Sequence, residues 1–130
     1  MKVRRVFIPL VTAVLAAAAQ EQPSKFEKAS VILARVPESA RMKQNPLGDD
    51  LDAVRAGEKL FEMHCAECHG RMAGGGKRGP SLMEEQIRRA EPGEIFWILT
   101  NGVVRRGMPA WSKLPDQQRW QIVRFLSQSR

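Results

Sequence analysis

Apolar positions first fall into register at Val54, Gly57, Phe61 and Cys65, which sit at i, i+3, i+7 and i+11 with Leu60 beside them. That period is one stripe down an amphipathic helix. Asp49 or Asp50 is placed to cap it, Asp52 falls in its first turn, and Gly70 follows as a stop. A second helix is predicted over residues 94–101, after Pro92 and Gly93: Ile95, Ile98 and Leu99 share a face, Phe96 and Trp97 add bulk, and Gly102 ends it. A third closes the chain over residues 116–128. Pro115 suits its start, and Trp120, Ile122, Val123, Phe125 and Leu126 make a broad apolar face, with Arg119 and Arg124 expected to face water. A glycine inside a helix costs about 1 kcal/mol against alanine, so Gly57 marks a place where another backbone comes close, and the last helix is the candidate to cross there.

The rest of the pattern is weaker. Residues 81–90 read as a short, frayed helix or turn. Residues 71–80 form a glycine-rich loop, R-M-A-G-G-G-K-R-G-P, read as a flexible wrap around the edge of a flat ligand. It lacks the Gly-Lys-Ser/Thr ending and preceding strand of a phosphate-binding loop. Residues 103–114 are a second loop. Upstream, Phe26, Ala29, Ile32 and Leu33 share a helical face, but Pro37, Asn45-Pro46 and Gly48 interrupt the segment. Residues 20–50 are therefore an N-terminal arm, either lying across the domain that follows or acting as a flexible tether.

The first nineteen residues carry Lys2, Arg4 and Arg5, then an apolar run, then Ala17-Ala18-Ala19. This is the pattern of a secretory signal peptide cleaved near Ala19. The run of about fourteen residues is short for a membrane span, which needs about twenty, so no transmembrane span is expected in the mature chain. The predicted organisation is signal peptide 1–19, arm 20–50 and one domain over 51–130. The formal charge of +7 falls to roughly +4 without the first nineteen residues. That is too sparse a cationic field for a nucleic-acid binder, and the chain has no Tyr for base stacking.

Candidate chemistry is concentrated at Cys65-Ala66-Glu67-Cys68-His69. Read as C-x-x-C-H, this is the attachment signature of a c-type haem. Two thiols three positions apart can each form a thioether to one of two vinyl groups on one porphyrin edge, and His69 then lies under the iron. Zinc, a thioredoxin-like pair and a plain disulfide remain as other readings. Zinc wants four tetrahedral ligands, and the chain offers two cysteines and two histidines, all within residues 64–69. Redox pairs of the thioredoxin kind need a βαβ setting, and no parallel-strand pattern is present. Pro80 offers a carbonyl that can accept the Nδ1 proton of His69. Of six methionines, Met108 lies far downstream in a loop between helices, held by Gly107 and Pro109, and is the candidate second axial ligand.

With these residues in place, the chain resembles a class I, single-haem c-type cytochrome of the bacterial periplasm. The resemblance is carried by G-E-K-L-F at 57–61, C-A-E-C-H-G at 65–70, G-P-S-L at 79–82, N-G-V-V-R-R-G-M-P-A-W at 101–111 and I-V-R-F-L at 122–126. It implies an all-α, cytochrome c-like fold in which a few helices wrap one covalently bound haem c. It implies attachment at Cys65 and Cys68, axial ligation by His69 and Met108, support from Pro80, and packing of Gly57 and Phe61 against Ile122 and Phe125. The function implied is periplasmic one-electron transfer between redox protein partners, such as a dehydrogenase and an oxidase, by a monomer that is not itself an enzyme. The alternatives are a haem c subunit of a larger dehydrogenase or terminal oxidase complex, and an open-site haem sensor or enzyme. Arg71, Lys77, Arg78, Arg105, Arg106 and Lys113 come from loops expected near the exposed haem edge, where they would steer acidic partners; the alternative is six unrelated solvated charges.

Overall fold

The computed structural model describes residues 28–128; the signal-peptide assignment and the start of the arm lie outside the described residues. Among the described residues seven α-helices follow one another: α1 (Ala29–Leu33), α2 (Glu38–Arg41), α3 (Leu51–His64), α4 (Ala66–His69), α5 (Glu85–Arg88), α6 (Pro92–Asn101) and α7 (Asp116–Gln128). A 3-10 turn over Val104–Arg106 lies in the last loop. Among the described residues there is no strand, only an isolated antiparallel pairing of Val103 with Met108. None of the described helices is long and apolar enough to cross a membrane.

The frame is the crossing of α3 with α7. Asp50 caps α3, its carboxylate accepting from the backbone N–H groups of Asp52 at 2.8 Å and Ala53 at 3.3 Å. Gly57 sits at the closest approach: a Cβ there would lie 2.0 Å from the backbone oxygen of Gln121 and 2.9 Å from Phe125 Cβ. Only glycine permits this contact. One turn on, Phe61 meets Phe125 with ring centroids 5.4 Å apart, and Phe61, Ile122 and Val123 are fully buried.

Helix α6 packs on the other side of α7, stacking Phe96 on Trp120 at 4.0 Å between centroids. It begins two residues earlier than the apolar face suggests. Pro92 fills the first helical position, and Glu91 and Glu94 close a reciprocal capping box around it. A second departure is Arg119, which is only 6% exposed instead of facing water. Its guanidinium lies over the Phe96 ring, donates to the Leu114 carbonyl at 3.1 Å, and also reaches Thr100 Oγ1 and Asp116 Oδ1. Arg124, farther along α7, is also largely covered and pairs with Asp49 at 3.1 Å.

Residues 28–50 are packed onto these helices. Val36 and Ala40 are buried, Asn45 Nδ2 donates to the Trp120 carbonyl at 3.0 Å, and α2 abuts the start of α6. A Cβ at Gly93 would lie 2.0 Å from the Ala40 oxygen.

Candidate functional site

The helix that carries the cysteine motif breaks inside it. Helix α3 ends at His64, and Cys65 is the junction, with φ −119° and ψ −35°. Its amide still donates to the Phe61 carbonyl at 2.8 Å, while its own carbonyl starts a new turn by accepting from Cys68 and His69 at 3.1 and 2.9 Å. The thiols are therefore shared between α3 and α4 rather than carried on one last helical turn, and Gly70 at φ +80° ends α4. Burial, and next the charge of Cys68, push the Cys65 thiol up to about 11.

His69 is buried. Its Nδ1 lies 2.9 Å from the Pro80 carbonyl oxygen. A carbonyl only accepts, so Nδ1 carries the hydrogen and Nε2 keeps a free lone pair. The glycine-rich loop makes this possible by lying tight against the motif. Gly75 N–H donates to the His69 carbonyl at 2.7 Å, and a Cβ at Gly79 would lie 3.0 Å from the Cys68 oxygen and 3.2 Å from His69 Cε1. The loop is thus fastened to α4 by backbone contacts rather than free to wrap.

Met108 is held from the other side of the sequence. Val103 N–H donates to the Met108 carbonyl at 3.0 Å, Met108 N–H returns the bond at 3.3 Å, and Trp111 N–H donates to the Leu99 carbonyl at 2.8 Å. The Trp111 ring then packs 5.1 Å from that of His64, joining this loop to the end of α3. Sequence periodicity offered no sign of that pairing, because the two residues belong to different elements.

Cys65, Cys68, His69, Pro80 and Met108 all line one cavity of about 410 Å³, within the range of ligand pockets. Of the methionines among the described residues, Met108 alone lines it; Met42, Met63 and Met72 are exposed and Met83 packs beside Phe61 and Ala73. The remaining wall is chiefly aliphatic, with Leu82, Ile87, Ile95, Ile98 and Leu99. Two thiols, an imidazole with its Nε2 lone pair free and a thioether, set in an apolar cavity, are the donor set and the surroundings that fit a haem. Among the described residues no group of three or more His, Cys, Asp or Glu side chains converges to hold a bare metal ion. Of the six basic loop residues, the structure brings only Arg78 and Arg106 to the cavity. Arg78 also pairs with Glu67, and Arg71 pairs with Glu62 at 3.6 Å.

A family described as cytochrome c oxidase, cbb3-type, subunit III matches residues 52–126, more than half of the chain. Two curated relatives are similar over 52 residues at 38% identity, 39% of this chain. They are the cbb3-type cytochrome c oxidase subunits FixP of Sinorhizobium medicae (strain WSM419) and of Rhizobium meliloti (strain 1021). The chain's match covers 18% of the length of each. These findings bear out the resemblance to a class I c-type cytochrome and the all-α, cytochrome c-like fold, and they make haem c the cofactor of the domain. They correct the expectation that the chain is not an enzyme. The family and both relatives are described as subunits of an oxidase, which is an enzyme complex, while this chain is an electron-transfer domain similar to them.

Proposed function

The chain belongs to the cytochrome c oxidase, cbb3-type, subunit III family, and we propose that it is a haem c electron-transfer subunit of a terminal oxidase complex, working outside the cytoplasmic membrane. Of the readings open at the outset, the similarity to oxidase subunits favours this one over a freely shuttling carrier. The observation that carries it is the convergence of Cys65, Cys68, His69 and Met108 on one apolar cavity.

In this reading a single haem c would be held by thioethers to Cys65 and Cys68, with His69 Nε2 and Met108 Sδ as the side-chain donors to its iron. Bound there, the haem supplies an iron that gains and loses one electron. Everything else is the work of the protein. His69 keeps its Nδ1 proton on the Pro80 carbonyl, which fixes the ring and strengthens Nε2 as a donor. Met108 offers a neutral, soft sulfur that favours the reduced state. Its backbone pairing with Val103 holds that sulfur in place, so little rearrangement accompanies each electron. The aliphatic wall keeps water away, which favours the less charged state and raises the potential further. Redox protein partners, a donor on one side and the oxidase core on the other, follow from this role.

The test is expression in a host that attaches haem covalently to exported proteins. The expected product is coloured, retains haem after denaturation, shows the far-red sulfur-to-iron band when oxidised, and co-purifies with oxidase subunits from its native membranes. A colourless product refutes the haem assignment. A coloured protein that migrates alone in native extracts refutes membership of a complex and restores the free carrier.

A further inference from the structure

We propose that α1, in the segment preceding the matched cytochrome region, is a wall of the cofactor site, locked there by Arg41 and Glu94. The inference rests on the haem reading above and adds to it a binding contribution from residues outside the family match, which begins at residue 52.

The first observation is the cavity itself. Ala29, Ile32 and Leu33 of α1 line it, alongside Ile87 of α5 and Ile98 and Leu99 of α6. Leu33 packs against the same hydrophobic cluster as Met108 and Ile87, a cluster separate from the one that holds Cys65 and Phe61. None of the five residues of α1 is buried by protein alone. Its apolar side chains border the cavity, so contact with a large apolar ligand is what completes their burial. Val31, by contrast, is 44% exposed.

The second observation explains how so short a helix stays put. Five residues are far below the length at which a helix is stable alone. Arg41 supplies the missing constraint: its Nη2 donates to the Leu33 carbonyl at 2.8 Å and its Nε to the Val36 carbonyl at 3.2 Å. The third nitrogen, Nη1, pairs with Glu94 Oε1 at 2.7 Å, and the Glu94 side chain is 7% exposed. The other carboxylate oxygen of Glu94 accepts from the Glu91 amide at 2.8 Å, closing the first turn of α6. One guanidinium therefore ties the end of α1 to the start of the helix that forms the neighbouring wall. The close contact of Gly93 with the Ala40 oxygen seats α2 against the same end. With α1 in place, water is excluded from that edge of the haem and the potential is held up.

The experiment uses the full haem-loaded chain and compares Ile32→Asn, Ile32→Ala and Arg41→Ala with wild type, with Val31→Asn as the exposed control. Potentiometric titration is expected to show a downward shift for Ile32→Asn and Arg41→Ala beyond titration error, a smaller one of the same sign for Ile32→Ala, and none for Val31→Asn. The far-red sulfur-to-iron band should persist throughout, separating loss of the wall from loss of Met108. Hydrogen exchange at the Ala34 and Arg35 amides should quicken in Arg41→Ala. Wild-type potentials in all three variants, with exchange at Ala34 and Arg35 quickened, overturn the wall while leaving the haem assignment intact. A wild-type chain that binds no haem overturns both.

Discussion

Substituting Gly57 by alanine tests the frame on which the site is built. The added methyl would sit 2.0 Å from the Gln121 backbone oxygen, whereas an ordinary carbon–oxygen contact is about 3.3 Å. Helices α3 and α7 must therefore separate locally by about 1.3 Å, and Phe125 Cβ, 2.9 Å from the new methyl, must also retreat. No rotamer change relieves the first clash, because the obstacle is backbone. The cost belongs at the upper end of overpacking, about 3 kcal/mol. Replacing a mid-helix glycine by alanine returns about 1 kcal/mol in backbone entropy, leaving a net destabilisation of about 2 kcal/mol. For a domain of this size that lowers the melting temperature by roughly 10 °C. The assay is thermal unfolding of the haem-loaded protein followed by far-ultraviolet circular dichroism. Gly74→Ala is the control, since a Cβ there meets nothing within 4 Å. Equal melting temperatures for Gly57→Ala and wild type would refute the close crossing.

Met108→Ala should keep its covalent haem, lose the far-red sulfur-to-iron band and titrate at a lower potential; an unchanged potential would mean that Met108 is not the ligand. Gly79→Ala places a methyl 3.0 Å from the Cys68 oxygen and 3.2 Å from His69 Cε1, so the loop and the ring must give by a few tenths of an ångström at the His69–Pro80 contact. A changed potential with haem content intact is expected, and a potential identical to wild type counts against the loop as the support of His69. Arg119→Ala removes a buried guanidinium that satisfies the Leu114 carbonyl and covers Phe96; chemical denaturation should show a loss of about 2 kcal/mol, and a loss under about 0.5 kcal/mol would contradict the burial.

The parts legible in the sequence are those written in local periodicity or fixed spacing. The Val54–Gly57–Phe61–Cys65 stripe located α3 and its crossing with α7, since a mid-helix glycine between large apolar residues has few other uses. The spacing of Cys65, Cys68 and His69 identified the cofactor class, and Met108 stood out by its flanking Gly107 and Pro109. What periodicity missed are charges turned inward. Arg119 counts as polar in any amphipathic pattern, yet its guanidinium lies over Phe96 and finds acceptors in the Leu114 carbonyl and Thr100. Arg41 was hidden for the same reason: its partners, Leu33, Val36 and Glu94, are scattered along the chain, and no short window contains them. The break at Cys65 escaped because the apolar stripe runs through it unchanged, the backbone turning without altering which side chains are apolar.

The antiparallel pairing of Val103 with Met108 holds the sulfur-bearing residue by main-chain bonds at the base of a short bend, in which Val104 and Arg105 are exposed while Arg106 and Gly107 turn back to line the cavity. Such an arrangement separates the exposed positions 104 and 105 from the backbone anchor of Met108. Side chains at positions 104 and 105 can therefore be exchanged, altering the outer face of the bend, without breaking the two main-chain bonds that seat the thioether's residue.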